Sequence, residues 1–593
     1  MTTLLFSLLA LPATANGQTS ELSSAVKAHI TLEGLTRHAR AITEHERPSG
    51  SPGENAAIDY VVETLQASGV PLRVHEIRAY TSDPVSARVT VPGTDFDPDA
   101  ITLSFSGATP GVEGPLLDLG DLDDLPELEV GTGERLVVRG AERFARVRGR
   151  IAVVTGQPRN VPTTALEELG ALAVVYVNPE ERLNDLIVTS TWGTPSLLNA
   201  HRLPALPVAQ IRRSDGERLR TMMAGGEVRA RVSTEVATGW KELRVAVAEI
   251  APPDAGDDAP FVLFGGHIDA WYHGGTDEGA SNAAMLELAI AFHAERASLR
   301  RGLRVAWWPG HSNARYGGST WYADTFFDEL RTRGIAYVNV DGIGQKDARR
   351  FGASTSPALA RLAEDVVRGA TRQGIRPSRP GRNSDQAFNG AGVALLQISH
   401  SRTAEDGGYW WWHTPDDTYD KIDVEVLKVD TDLYADALAS LLADPALPLD
   451  LPREVEALEQ ALSERERQSG SALDLSEARE GAARLAALLA DADAAGASTR
   501  SGAALDLARM RVLRPLHRVM FVPGSDHHPD PGIHGSPLPG LEPARVLSEE
   551  PLDSDRYGFA LAYLLRERNR VHEAIDEAAR EAERLLVLLR SAS

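Results

Sequence analysis

A chain of 593 residues is too long for one hydrophobic core, and at roughly 150 residues per domain it holds three or four. Its 42% apolar and 24% charged residues are ordinary for a soluble globular protein, and a net charge of −23 without a Lys/Arg cluster argues against nucleic-acid binding. With no cysteine, disulfides, thiolate metal sites and cysteine nucleophiles are excluded, so any metal site must use His, Asp, Glu or water.

The N-terminus runs from Met1-Thr2-Thr3 through an apolar run, Leu4 to Leu11, to Pro12-Ala13-Thr14-Ala15. A short apolar core before a small-x-small site reads as a signal peptide over 1–18, although a basic leading segment is missing. The run is too short to span a bilayer, and no other stretch reaches about 18 apolar residues. A secreted or periplasmic protein without a membrane span is expected.

Residues 19–83 mix helix and strand patterns. Ala57, Ile58, Val61, Val62 and Leu65 fall at helical spacing, and Val70 to Val74 reads as a strand. Residues 84–245 differ in texture, with short β-rich runs at Leu136-Val137-Val138 and Ile151 to Val154, a helix near Thr164 to Leu169, and a strand at Ala173 to Val177. This reads as a compact module inserted between two halves of another domain. Residues 246–447 are α/β: Phe261 to Phe264, Leu303 to Trp308, Ala336 to Val340 and Val393 to Ile398 read as buried strands, separated by helical segments such as Ala283 to Leu299. That alternation predicts a mainly parallel sheet with its chemistry beyond the carboxyl ends of the strands. From 448 to 593 Ala, Leu, Glu and Arg recur at helical spacing, with Pro452 near the start and a long final helix from Ser554 to Arg590. A Pro/Gly/His-rich loop, Val522 to Gly540, interrupts this helical region.

Three segments at strand ends carry candidate chemistry. Gly265-Gly266-His267-Ile268-Asp269 runs on to Gly274-Gly275-Thr276-Asp277. Imidazole and carboxylate are natural Zn²⁺ ligands where no thiol exists, and an Asp two residues after a ligand His can orient it. Asp341 follows the strand Ala336 to Val340, where a turn or cap role is the ordinary alternative. The third is Trp412-His413-Thr414-Pro415-Asp416-Asp417-Thr418.

Together these residues resemble the co-catalytic zinc aminopeptidases and, more closely, the glutamate carboxypeptidase II and transferrin receptor group. That group writes a His-x-Asp, a Gly-Gly-x-Asp leading into a helix, a strand-end Asp, and a His before Asp-Thr. The matching positions are His267/Asp269, Asp277, Asp341, and His413 before Asp417-Thr418. The resemblance implies an α/β zinc-peptidase core with a protease-associated insert and a C-terminal helical dimerisation domain. Arg514-Pro515-Leu516-His517-Arg518 and Pro539-Gly540 echo the loop of that last domain. It further implies one or two zinc ions, or another divalent metal, with Asp277 as the bridge. His267 and Asp341 would complete one site, and His413 would serve the other.

The sequence departs from that pattern at one place. The family carries a Glu-Glu pair, general base then metal ligand, before Gly-Ser-Thr. Here Pro309-Gly310-His311-Ser312-Asn313-Ala314-Arg315-Tyr316 precedes Gly317-Gly318-Ser319-Thr320, so both carboxylates are gone. His311 is then a general base, an additional ligand, or a relic of the lost pair. Trp412 stands where the family has an oxyanion-stabilising Tyr, and Tyr316 and Arg315 are candidates to supply the missing donor or bind substrate. The Lys-Tyr pair that grips a terminal glutamate is absent from His527 to His534, so that specificity is not expected. The aromatic run Tyr409 to Trp412 lines either a pocket or the core.

The expected function is metal-dependent hydrolysis of a peptide or small amide through an activated water, with a non-standard second metal or base site. An inactive receptor-like homologue and zinc-dependent acyl transfer or cyclisation are the alternatives. A homodimer through the helical domain is the expected assembly.

Overall fold

The computed structural model describes residues 17–122, 128–129, 137–138, 144–256, 258–381, 384–497, 502–527 and 536–591. The apolar run and cleavage-like site behind the signal-peptide expectation, Leu136, and most of His527 to His534 lie outside the described residues.

The protein is a mixed α/β fold around a large central sheet flanked by helices. Its centre is four parallel strands in the order Ala394–Ser401, Gly334–Asn339, Phe261–His267, Gly302–Trp308. Every residue of Phe261–His267 is buried, which its unbroken apolar run requires of a central parallel strand. The helix Ala280–Ala294 packs against it with nearly all side chains buried. His267, Asp277 and Asp341 all follow the carboxyl ends of these strands, where the crossovers leave an opening.

The expected boundaries at 83/84 and 245/246 fall inside two long strands. Leu72–Thr90 and Arg229–Ile250 pair antiparallel from Leu72↔Ala248 to Thr90↔Arg231. The short strand expected at Val70 to Val74 therefore continues for another sixteen residues, with its register shift between Pro84 and Ser86. Proline cannot donate to a ladder, so it marks a bulge there and hides the strand from periodicity. The sheet runs on through this ribbon into Thr109–Asp121, Ile151–Thr155, Ala173–Val177, Val208–Ile211 and Ala100–Thr102.

Beyond residue 450 the described chain is mainly helical: Leu451–Gln468, Ser476–Ala494, Ala503–Phe521 and Asp555–Ser591. Ala503–Phe521 is nailed to the α/β layer by buried polar contacts. Arg301 pairs with Asp506 at 2.8 Å, Arg514 donates to Gly334 O, and His517 meets Asn389 Oδ1 at 3.0 Å. One apolar core runs continuously from Leu22 through the sheet to Ala582.

Candidate metal centre

The loop after Phe261–His267 is shaped by Arg47, a residue 220 positions upstream in the chain and fully buried. Its guanidinium donates to the carbonyls of Ile268, Ile42, His273 and Gly274. Burial pulls it down to about 10, against the raising influence of Asp417, Asp269 and Asp277. A charged fork satisfying three carbonyls of this loop and one at the end of the helix Leu32–Ile42 ties the two together.

His267 is buried, and its Nδ1 lies 2.7 Å from the Asp269 backbone carbonyl. The Asp269 carboxylate stays 3.8 Å from Nδ1. It accepts instead from the backbone N–H groups of His311 and Ser312, at 3.0 and 2.9 Å, and from Ser49 Oγ. Asp269 thus orients His267 through its main chain and anchors the His311 loop through its side chain.

Asp277 is the hub. Its Oδ1 is 3.2 Å from His267 Nε2 and its Oδ2 is 3.0 Å from His413 Nε2. Two ligands on one tetrahedral ion at about 2.0–2.1 Å are roughly 3.3 Å apart, so each pair fits two donors of a shared ion. The buried His267 Nε2 has no hydrogen-bond partner among the described residues, as a metal-facing nitrogen should. Burial pushes Asp277 up, but His267 and His413 outweigh it and hold the carboxyl well below its usual range. Burial likewise lowers His267, yet Asp277, Asp341 and Asp269 win and raise it to about 10. Below, Asp417 accepts the backbone N–H of Thr276 and Asp277 and fixes the hub.

Asp341 lies beside His267, and its Oδ2 accepts from Ser384 Oγ at 3.2 Å. Burial, first of all, raises its pKa. The ring of His311 stacks on that of His267, centroids 3.8 Å apart and planes inclined by 17°. Its Nδ1 is 2.8 Å from Asp385 Oδ2, and Asp385 Oδ1 accepts from Ser319 Oγ at 2.6 Å. Nitrogen and oxygen donors of His267, His311 and Asp341 lie within 4.8 Å of one another.

His413 takes the left-handed conformation, φ 57°. It is held there by Asn184 and Asp185. Its Nδ1 is 2.6 Å from Asp185 O, Asp185 N donates back to His413 O, and Asn184 Nδ2 donates to Trp412 O. Trp412 stacks on His413 at 3.6 Å and packs against the apolar cluster that includes Leu186, Val188 and Leu206. Trp411 is core, its Nε1 donating to Thr276 Oγ1 at 2.8 Å, whereas Trp410 is exposed. Tyr316 presents its edge to His311 at 4.7 Å and accepts from Ser384 N. Arg315 stacks over Tyr316 and Trp192.

Glu278, Asp385, Arg47 and Asp185 escape a reading of the sequence. Only Glu278 had a signal, its place directly after Asp277. It is wholly buried, and burial with Asp341 and Asp277 pushes it well above the carboxyl range.

Residues 246–438 match the model of peptidase family M28. That match spans about a third of the chain. The chain is similar to "Probable lipoprotein aminopeptidase LpqL" of Mycobacterium tuberculosis, 24% identical over 68% of this chain and 81% of that protein. It is also similar to "Probable glutamate carboxypeptidase VP8" of Zea mays, 24% identical over 61% of this chain and 57% of that one. Among solved structures, a zinc aminopeptidase from Bacillus subtilis matches with a TM-score of 0.52 and 19% identity, covering 72% of this chain and 97% of the other. That last likeness is one of fold.

Proposed function

We propose that this M28-domain chain is a zinc-dependent hydrolase of peptide or small amide bonds, with metal held by His267, Asp277, Asp341 and His413. The observation that carries it is the Asp277 carboxylate shared between His267 and His413 at 3.2 and 3.0 Å. The M28 match, and the aminopeptidase and zinc aminopeptidase named among its relatives, support the same reading. A bound ion would polarise the scissile carbonyl and acidify a water.

For His311 the stacking favours the base over the ligand. An imidazole binds metal along a lone pair in its ring plane. Two rings stacked face to face at 3.8 Å cannot both aim at one ion about 2 Å away. Asp385 holds the Nδ1 side, leaving Nε2 of a side chain 13% exposed to take a proton from water and return it to the leaving amine. Asp269 keeps this loop in place. Trp412, Tyr316 and Arg315 are taken as the cleft's substrate-facing side chains, supported by their contacts with His413 and His311.

We further take 84–245 as a protease-associated-like insert and 448–593 as a helical domain that forms a homodimer. Residues 1–18 are taken as an export signal to a secreted or periplasmic location. No described helix is long and apolar enough to cross a membrane.

The test is a His311→Ala variant beside its parent, with metal content and peptide-amide hydrolysis measured on both. Retained metal with kcat reduced about 10²- to 10⁴-fold is expected of a lost base. Lost metal would make His311 a ligand. A parent without metal would overturn the hydrolase.

A further inference from the structure

Glu278 has no role in the scheme above, yet it occupies the most protected position in the centre. Its side chain is fully buried, and neither carboxyl oxygen meets a hydrogen-bond donor among the described residues. Its Oε1 is 3.8 Å from His267 Nε2, itself without a hydrogen-bond partner among those residues, and its carboxyl lies beside those of Asp341 and Asp277. The main chain is fixed here, because Asn282 Nδ2 donates to the carbonyls of both Glu278 and His267. The space is made by Gly266: a Cβ there would stand 2.9 Å from Glu278 Oε2 and 2.7 Å from Val340 O. A buried carboxyl that meets no donor and faces two others is kept either by a shared proton or by a cation between them, and the open His267 Nε2 on the same space favours the cation.

Resting on the reading above, we infer that Glu278 is itself a metal ligand, completing with His267, Asp277 and Asp341 the set around one divalent ion. The residue after Asp277 thereby adds a carboxylate to the His267 half. Full burial suits a ligand and excludes a base that must reach water, so Glu278 and His311 divide the two roles between them.

The test compares Zn²⁺ affinity of the full-length parent, Glu278→Gln and Glu278→Ala, with apo melting temperature as the folding control. Gln keeps size and polarity and can donate to Asp341, so it would serve as well as Glu if Glu278 merely shared a proton with that carboxyl. A loss of about 100-fold or more in both variants is expected. A smaller loss in Glu278→Gln, in the range of groups that only support a ligand, overturns the inference. Should the variants not fold, a crystal structure of the Zn²⁺-loaded parent decides: a Glu278 oxygen at about 2.0–2.2 Å supports ligation, and one beyond bonding distance refutes it. A parent that binds no Zn²⁺ would instead sink the underlying hydrolase reading.

Discussion

The two halves of the proposed metal centre share Asp277 but are built differently. The His267 half lies inside the α/β layer, where Asp341 lies near His267, Glu278 comes to 3.8 Å from its Nε2 and Arg47 pins the connecting loop. The His413 half offers His413 and one Asp277 oxygen among the described residues, and its histidine is held by the backbone of Asp185. A ligand set drawn from neighbouring strand ends and the turn Gly275–Gly279 is held from within the α/β layer, with Arg47 as its brace. One that depends on a residue in the left-handed conformation needs a second element to hold it. The two halves are therefore expected to bind metal with different strengths.

The largest effect that would break this comparison is at the shared residue. Asp277→Ala is expected to empty both halves and lower kcat/KM by more than about 10³-fold, read by metal analysis and peptide hydrolysis. Retention of one ion would show that the halves are independent. Next is Arg47→Ala, which leaves four buried carbonyls without their donor. It should cost about 3–5 kcal/mol in denaturation of the metal-free protein and weaken the His267 half. A change below about 1 kcal/mol would mean that the loop holds itself. Asp385→Asn should lower kcat about 10- to 100-fold while leaving metal content intact, because it disturbs the His311 proton and no ligand. The smallest effect sharpens the contrast. Asn184→Ala removes one bond to Trp412 O and should weaken only the His413 half, about tenfold, in a metal titration.

Part of the centre was legible in the sequence because two of its strands are buried runs that end in a polar residue. Phe261–His267 and Gly334–Asn339 deliver His267 and Asp341 directly. The long final helix, Asp555–Ser591, was equally plain from its periodicity. What stayed hidden lies at long range or depends on burial. Arg47 acts on carbonyls more than 200 residues away, and Asp385 reaches His311 across 74 positions, so neither makes a local pattern. Glu278 beside Asp277 looks like an ordinary acidic turn until its complete burial is known. Leu72–Thr90 was masked by Thr81-Ser82-Asp83-Pro84, polar residues that long-range pairing overrides.

The most direct test of the asymmetric centre is a calorimetric titration of Zn²⁺ into the metal-free full-length chain, repeated with His413→Ala. The account predicts one tight site that survives the substitution and a second at least about 100-fold weaker that disappears with it. Two sites of equal affinity, or loss of the tight site in His413→Ala, would contradict it.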